Sequence, residues 1–301
     1  MSSMAFLESF MERYDYPAEA REALRGALRH LSGIPAVRAF WADCMASYPV
    51  HHAPRDVSEL FNRVHAVSGT FGVPYETVEL LFFILLAEPL REIYRQEGIG
   101  EDIYDDTMLD LRAKLVECRK VYGIWGSFVA FWLVGFFALG RFGIGRLEYE
   151  PETKDALTLP DGRSFPGGRC LDVHIPSRGH LTKENIEDSF RRAEKFFRDR
   201  IPGDTLAFFC HSWLLYPPHR EMLPADGGIC TFMDFFTIYA SEESPDRHDL
   251  WRIFDTPETQ DLSKFPRQTS LQRAYLARLE AGLPVGEGRG VRFVPKSDIL
   301  P

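Results

Sequence analysis

From the start of the chain to about residue 138, apolar positions recur with helical spacing, and the breaks fall at prolines and glycines. Ala18 to Leu31 follows Pro17 and is rich in alanine, leucine, glutamate and arginine, all good helix formers. Pro35 to Tyr48 and Ser58 to Phe71 repeat the pattern, with Val57, Leu60, Phe61 and Val64 spaced for one apolar face. Tyr75 to Glu97 begins after Pro74, crosses the apolar run Val78 to Ala87, and is expected to kink at Pro89. Asp102 to Val121 places acids early and Lys114, Arg119 and Lys120 late, the order a helix dipole favours. Ile124 to Gly140 carries no charge, yet falls short of the roughly 20 residues that span a bilayer. It reads as a buried helix between two domains, with an aromatic ligand wall or a membrane insertion as the alternatives.

The texture changes at Arg141. Leu147 to Glu150 alternates, and Leu157 to Phe165 sets Asp161-Gly162 between short apolar flanks, a hairpin signature. Cys170 to Pro176 reads as a strand, Thr182 to Arg200 as a helix, and Thr205 to Tyr216 as a second, strongly apolar strand. Ile229 to Tyr239 reads as a further strand, and Trp251 to Phe254 as short and extended. Thr269 to Ala281 is a helix capped by Thr269 or Ser270, with Gly282 just past its end. Val285 to Val294 suggests a glycine-bent final strand. The expectation is an α+β chain of two domains, an all-α one over 1–138 and a mixed α/β one over 139–301.

Composition narrows the function classes. The 301 residues suffice for two domains, and 45% hydrophobic content with 26% charge is that of an ordinary globular protein. A net charge of −9 speaks against a nucleic-acid scaffold. The five cysteines are scattered without a C-x-x-C pair, which signals neither a disulfide framework nor a zinc site and fits a reducing cytoplasm. Glu8, Glu12, Arg13 and Asp15 interrupt the first apolar residues, so no signal peptide is expected.

The stretch Cys170 to Pro217 is the richest in candidate chemistry. A helix that opens straight after a strand aims free N–H groups and a positive dipole end at the intervening turn, which suits a phosphate. Ser177, Arg178 and Gly179, with Thr182 at the helix start, form that candidate cradle; the alternative is an exposed turn with a helix cap. Each strand also carries a histidine, His174 and His211. His211 sits in the apolar run Phe208 to Trp213 and is expected to be buried, either as a structural histidine or as a general base. His174 flanks the same cleft or simply pairs with Asp172. Ser212 lacks a nucleophile elbow, and Cys210 points away from His211 in a strand. Tyr216 and Tyr239 read as core aromatics before proton donors. His174, His211, His219 and Asp172 lack metal-ligand spacing, and no metal is expected.

Five segments, Arg141 to Glu150, Asp172 to Pro176, Cys210 to Leu215, Asp249 to Phe254 and Thr269 to Ala274, resemble in order the two-domain bacterial acyltransferases. Those carry a helical N-terminal domain and a GNAT-like C-terminal domain. The resemblance implies N-acyl transfer from a thioester, with coenzyme A as the usual carrier and a small-molecule or peptide amine as acceptor. The turn Ser177 to Thr182 departs from the family's Q/R-x-x-G-x-G/A pyrophosphate loop in having one glycine. An acyl carrier protein, whose phosphopantetheine arm lacks the adenosine part, is therefore an alternative donor. A non-catalytic module binding an acyl or peptide ligand on the same fold is the reading from another class.

Overall fold

The computed structural model describes residues 3–49, 52–244, 248–257 and 261–299. The chain divides into two compact units, Met1–Gly143 and Ile144–Pro301. The first contains helices α1 (Ser3–Arg13), α2 (Ala18–Gly33), α3 (Pro35–Ser47), α4 (Pro54–Ser68), α5 (Tyr75–Gln96), α6 (Glu101–Tyr122) and the short α7 (Val134–Phe137). Helix α5 is buried around its whole circumference from Val78 to Ala87, and apolar throughout from Leu80 on, which places it at the centre of the helical region. It continues through Pro89 without a break. Of its two buried carboxylates, Glu76 and Glu79, the more deeply buried Glu79 is held by His65 Nδ1 at 2.7 Å and Ser68 Oγ at 3.2 Å, and burial raises its carboxyl above the usual range.

The uncharged segment 124–140 is not one helix. Bends and turns are followed by a 3₁₀ turn, Ala130–Leu133, and then by α7. Two features break it. A Cβ on Gly126 would meet the backbone of Glu76 and Thr77 at 2.5–2.7 Å, so only glycine allows that close approach. The carbonyls of Trp132 and Phe137 accept from side chains instead, Arg141 at 2.9 Å and Tyr48 at 2.8 Å. Among the described residues no helix is long and apolar enough to cross a membrane.

The second unit is built on a mixed sheet. Its strands are β1 (Phe142–Ile144, where one unit passes into the next), β2 (Leu147–Lys154), β5 (Gly168–His174), β6 (Thr205–Ser212), β7 (Thr237–Glu243) and β8 (Gly286–Pro295), in the order β1-β2-β5-β6-β8-β7. A separate hairpin, β3 (Leu157–Thr158) and β4 (Ser164–Phe165), turns at Asp161-Gly162 with Gly162 at φ +87°. Strands β5 and β6 run parallel, and helix α8 (Lys183–Phe197) makes the crossover between them. The pairings β2/β5, β6/β8 and β7/β8 are antiparallel.

Alternation sorts the two faces. Tyr149, Phe208 and the α8 residue Phe190 pack edge to face, with ring centroids 5.4–6.0 Å apart. On the opposite face the hairpin lays Leu159 and Phe165 against Cys170, Ala207, Phe209 and Val291. Among the described residues, four short α-helices complete the unit: α9 (His219–Met222), α10 (Gly228–Met233), α11 (Trp251–Phe254) and α12 (Ser270–Glu280). Ile229 to Tyr239 is therefore a helix followed by a strand, not one strand, and Trp251 to Phe254 is helical, not extended. Thr269 caps α12 in a capping box with Gln272, and Gly282 follows at φ +70°. Strand β6 stops at Ser212, where a 3₁₀ turn, Trp213–Leu215, lies on β8. A Cβ on Gly288 would overlap the Leu215 carbonyl, which explains the glycines of the last strand.

Phe208 is fully buried between the rings of Tyr149 on the sheet and Phe190 on α8. Phe208→Ala should destabilise the protein by about 3–5 kcal/mol, read as a lower midpoint in chemical denaturation.

Candidate active site

Between β5 and β6 the ladder comprises two residue pairs, Leu171 with Phe208 and Asp172 with Phe209. Both strands continue beyond them, to His174 and Ser212. In that register His174 and His211 stand opposite each other, each two residues past the last pair and on the hairpin-covered face. The hairpin ends short of them, so neither is buried.

His211 is the main correction to the sequence reading. Its side chain is 47% exposed, not enclosed by a strand buried on both faces. Nε2 of its ring lies 2.8 Å from Oε2 of Glu287 on β8 and 3.3 Å from Oε1 of Glu242 on β7. Arg289 holds Glu242 at 2.8 Å, and this guanidinium keeps the Glu242 carboxyl below its usual range. On the other strand His174 Nε2 is 3.0 Å from Glu150 Oε2, not paired with Asp172. Asp172 instead accepts from Lys154 at 2.9 Å. Sequence reasoning missed Glu150 and Glu287, because both partners lie on strands remote in sequence.

At the mouth of the opening, the turn after β5 leads into α8. Ser177 and Gly179 are exposed, and Gly179 has φ +62°, a backbone that L-residues rarely adopt. Thr182 caps α8 by accepting from Asn185 N at 3.2 Å. Arg146, in the turn between β1 and β2, donates to the Pro176 carbonyl at 2.9 Å, while Arg178 donates to the Gly145 carbonyl at 3.0 Å. The two turns are thus cross-linked by two cations. Burial, and then the neighbouring Arg178 charge, push Arg146 down to about 10. Its buried Nε–H has no acceptor among the described residues. An anion with several oxygens, such as a phosphate or pyrophosphate, would relieve both costs. Arg146 is the residue that the sequence reading omitted here, since its position shows only once β1 and β2 lie beside β5.

The remaining candidates have structural duties. Ser212 Oγ accepts from Leu214 N at 3.2 Å and caps the 3₁₀ turn. Cys210 is buried on the opposite face from His211, and burial pushes its thiol up. Tyr216 is buried beside His219, and Tyr239 packs on the Phe209–Val291 cluster. His219 is fully buried, with Nδ1 3.3 Å from the Leu214 carbonyl and Nε2 2.5 Å from the Tyr275 hydroxyl. It is therefore not brought to His174, His211 and Asp172. Among the described residues the donor atoms of His211, Glu242 and Glu287 lie within 4.8 Å of one another. Those are donors a divalent cation accepts, although Arg289 already supplies Glu242 with a positive partner.

Residues 142–292 match the family model of the GNAT-like C-terminal domain, and residues 5–139 match that of the N-acyltransferase N-terminal domain. The chain belongs to this N-acyltransferase family. The acyltransferase shares its fold with solved structures of low sequence identity. One is an acyltransferase in complex with decanoyl-CoA and teicoplanin, with a TM-score of 0.74 and 21% identity over 96% of this chain and 87% of that one. Another is an acyltransferase in complex with decanoyl-CoA, with a TM-score of 0.72 and 24% identity over 98% and 87%. A third is an acyltransferase in complex with CoA and 10C-teicoplanin, with a TM-score of 0.73 and 21% identity over 96% and 87%. No curated protein matches the chain in sequence.

Burial lowers His219 to about 4, so the folded acyltransferase keeps this ring neutral where an unfolded chain, with an ordinary value near 6.5, would protonate it. Below about pH 6.5 the unfolded state then binds the extra proton, and stability falls with pH until about pH 4. The cost over that window is on the order of 3 kcal/mol. Denaturation between pH 7 and 4.5 should show this slope, and His219→Phe, with no titrating ring, should show less of it.

Proposed function

We propose that this acyltransferase takes its acyl group from an acyl-CoA thioester held in the opening between β5 and β6. The acceptor is an amine on a small molecule or peptide. The observation that carries this reading is the arrangement around that opening, with two histidines beyond the last paired residues and two arginines at its mouth. The neighbours solved with decanoyl-CoA and with CoA support the coenzyme as donor, and teicoplanin in two of them supports an acceptor larger than a simple amine. In this reading residues 1–138 form an all-α domain and residues 139–301 the acyltransferase domain. The five cysteines are free and buried, which suits a cytoplasmic setting.

The pantetheine arm lies between residues 173–177 and 207–213, where the strand edges part and leave backbone groups for its amides. Its pyrophosphate lies at Ser177 to Thr182, against Arg146, Arg178 and the N-terminus of α8. The amine nitrogen attacks the thioester carbonyl carbon, forming the C–N bond, and the C–S bond breaks. His211 takes a proton from the nitrogen, with His174 across the opening as the second imidazole, and that proton passes on from His211 through solvent to the departing thiolate, giving the free thiol. Positioning of the two substrates and backbone donors at the carbonyl oxygen supply much of the rate.

Thiol release from decanoyl-CoA in the presence of candidate amines tests the reaction. His211→Gln should lower kcat by about 10²–10⁴-fold with little change in Tm, because the ring is half-exposed. Normal turnover in that variant would move the base elsewhere.

Arg146→Ala should raise the KM for acyl-CoA about tenfold, the worth of one charge-assisted hydrogen bond. The parent's KM should rise with salt more steeply than the variant's. If decanoyl-CoA binds both proteins alike and an acyl carrier protein supports turnover instead, the carrier protein is the donor.

A further inference from the structure

We propose that the acceptor carries a second, cationic amine, and that a pocket just past His211 along the sheet holds it. The inference rests on the reading of an amine acylated at the β5/β6 opening, and it names the class of that acceptor. Three strands build the near wall of the pocket. Trp213 follows the end of β6, Gly286 precedes Glu287 on β8, and Ser244 follows the end of β7 and donates its N–H to the Val285 carbonyl at 2.8 Å. The register sets His211 against Arg289 and Glu242 against Glu287, so the ionic patch around His211 and the pocket are consecutive steps along the same strands. Two residues of strand separate His211 from Trp213, about 7 Å.

The far wall comes from Tyr275 on α12 and from the 3₁₀ turn His248–Leu250, which brings Asp249. Trp213 and Tyr275 meet edge to face, with ring centroids 6.0 Å apart. Aromatic rings beside a carboxylate suit an ammonium ion, which gains both an ion pair and the attraction of a ring quadrupole. Other ligands fit less well. The pocket has room for about one water-sized group, too little for a decanoyl chain. Its carboxylate repels an anion, and an alkyl group would desolvate that carboxylate without compensation. Two cations stand near, but neither lines the pocket. Arg252 meets Asp249 with Nε 3.2 Å from Oδ1 and is 41% exposed, while Arg278 donates to the Pro284 carbonyl and lies over the Tyr216 ring at 5.7 Å. Burial keeps His219, bonded to the Tyr275 hydroxyl, neutral near pH 7, so it adds no opposing charge. An acceptor with its two amines about 7 Å apart then puts one nitrogen at His211 and the other, protonated, in the pocket.

Two readouts on the full-length protein test this. With decanoyl-CoA as donor, thiol release with 1,5-diaminopentane should exceed that with pentylamine by about tenfold or more in kcat/KM, the worth of one charge-assisted contact. In Asp249→Asn, which keeps the shape of the side chain, that ratio should fall toward one. A ratio within one protein cancels any general loss of folded enzyme, and the parent's own ratio needs no variant. Isothermal titration calorimetry of 1,5-diaminopentane without a donor should show binding by the parent that weakens about tenfold in Asp249→Asn. A parent that uses pentylamine as well as the diamine, or a ratio unchanged in Asp249→Asn, would overturn the pocket assignment and leave acyl transfer standing. Diamine binding that depends on Asp249, with no thiol release from either amine, would keep a cation pocket but overturn its role in holding an acceptor. Neither binding nor thiol release would overturn both readings.

Discussion

The parallel pairing of β5 with β6 is the constraint on which the second unit depends. Two parallel neighbours cannot be joined by a tight turn, so the chain must leave the sheet, run back along it as α8 and return. That crossover has three consequences at once. It buries one face of the sheet through Phe190 and Phe197, it leaves a helix N-terminus beside the end of β5, and it lets the two strands part after Asp172 and Phe209. The opening, the anion cradle and the two facing histidines are all products of one connection.

The sheet's two faces divide the labour. One is closed by aromatic packing of Tyr149, Phe190 and Phe208. The other is apolar only as far as the hairpin covers it, and beyond that it turns ionic: Glu150, His174, His211, Glu242, Glu287 and Arg289. These six side chains are tolerated there because they meet cross-strand partners and keep contact with water, while Glu148, opposite His174, is buried.

Much of this was legible in the sequence. Strand–turn–helix–strand over residues 170–212, the Asp161-Gly162 hairpin and the Thr269 cap all rest on local chemistry, and local chemistry survives in the fold. What failed was whatever a distant partner decides. Ile229 to Tyr239 is an apolar run whose periodicity cannot separate helix from strand, and the Gly227-Gly228 start tipped its first half to helix. Residues 124–140 read as a helix by lack of charge, but Gly126 against the Glu76–Thr77 backbone and Arg141 on the Trp132 carbonyl override that tendency. The apolar residues around His211 suggested burial on both faces, yet the extent of cover was set by a hairpin more than 40 residues upstream. Arg146, Glu150 and Glu287 were invisible for the same reason.

The glycines of β8 bear on how this enzyme can be remodelled. Gly286, Gly288 and Gly290 sit on one face of the strand, and a methyl group at any of them would collide with Glu242, Leu215 or Phe236. That face is closed to substitution. The intervening positions, Glu287 and Arg289, point the other way, toward His211. Selection or design that aims to retune the acceptor through this strand has a two-letter alphabet of sites to work with, and one of those letters touches the histidine.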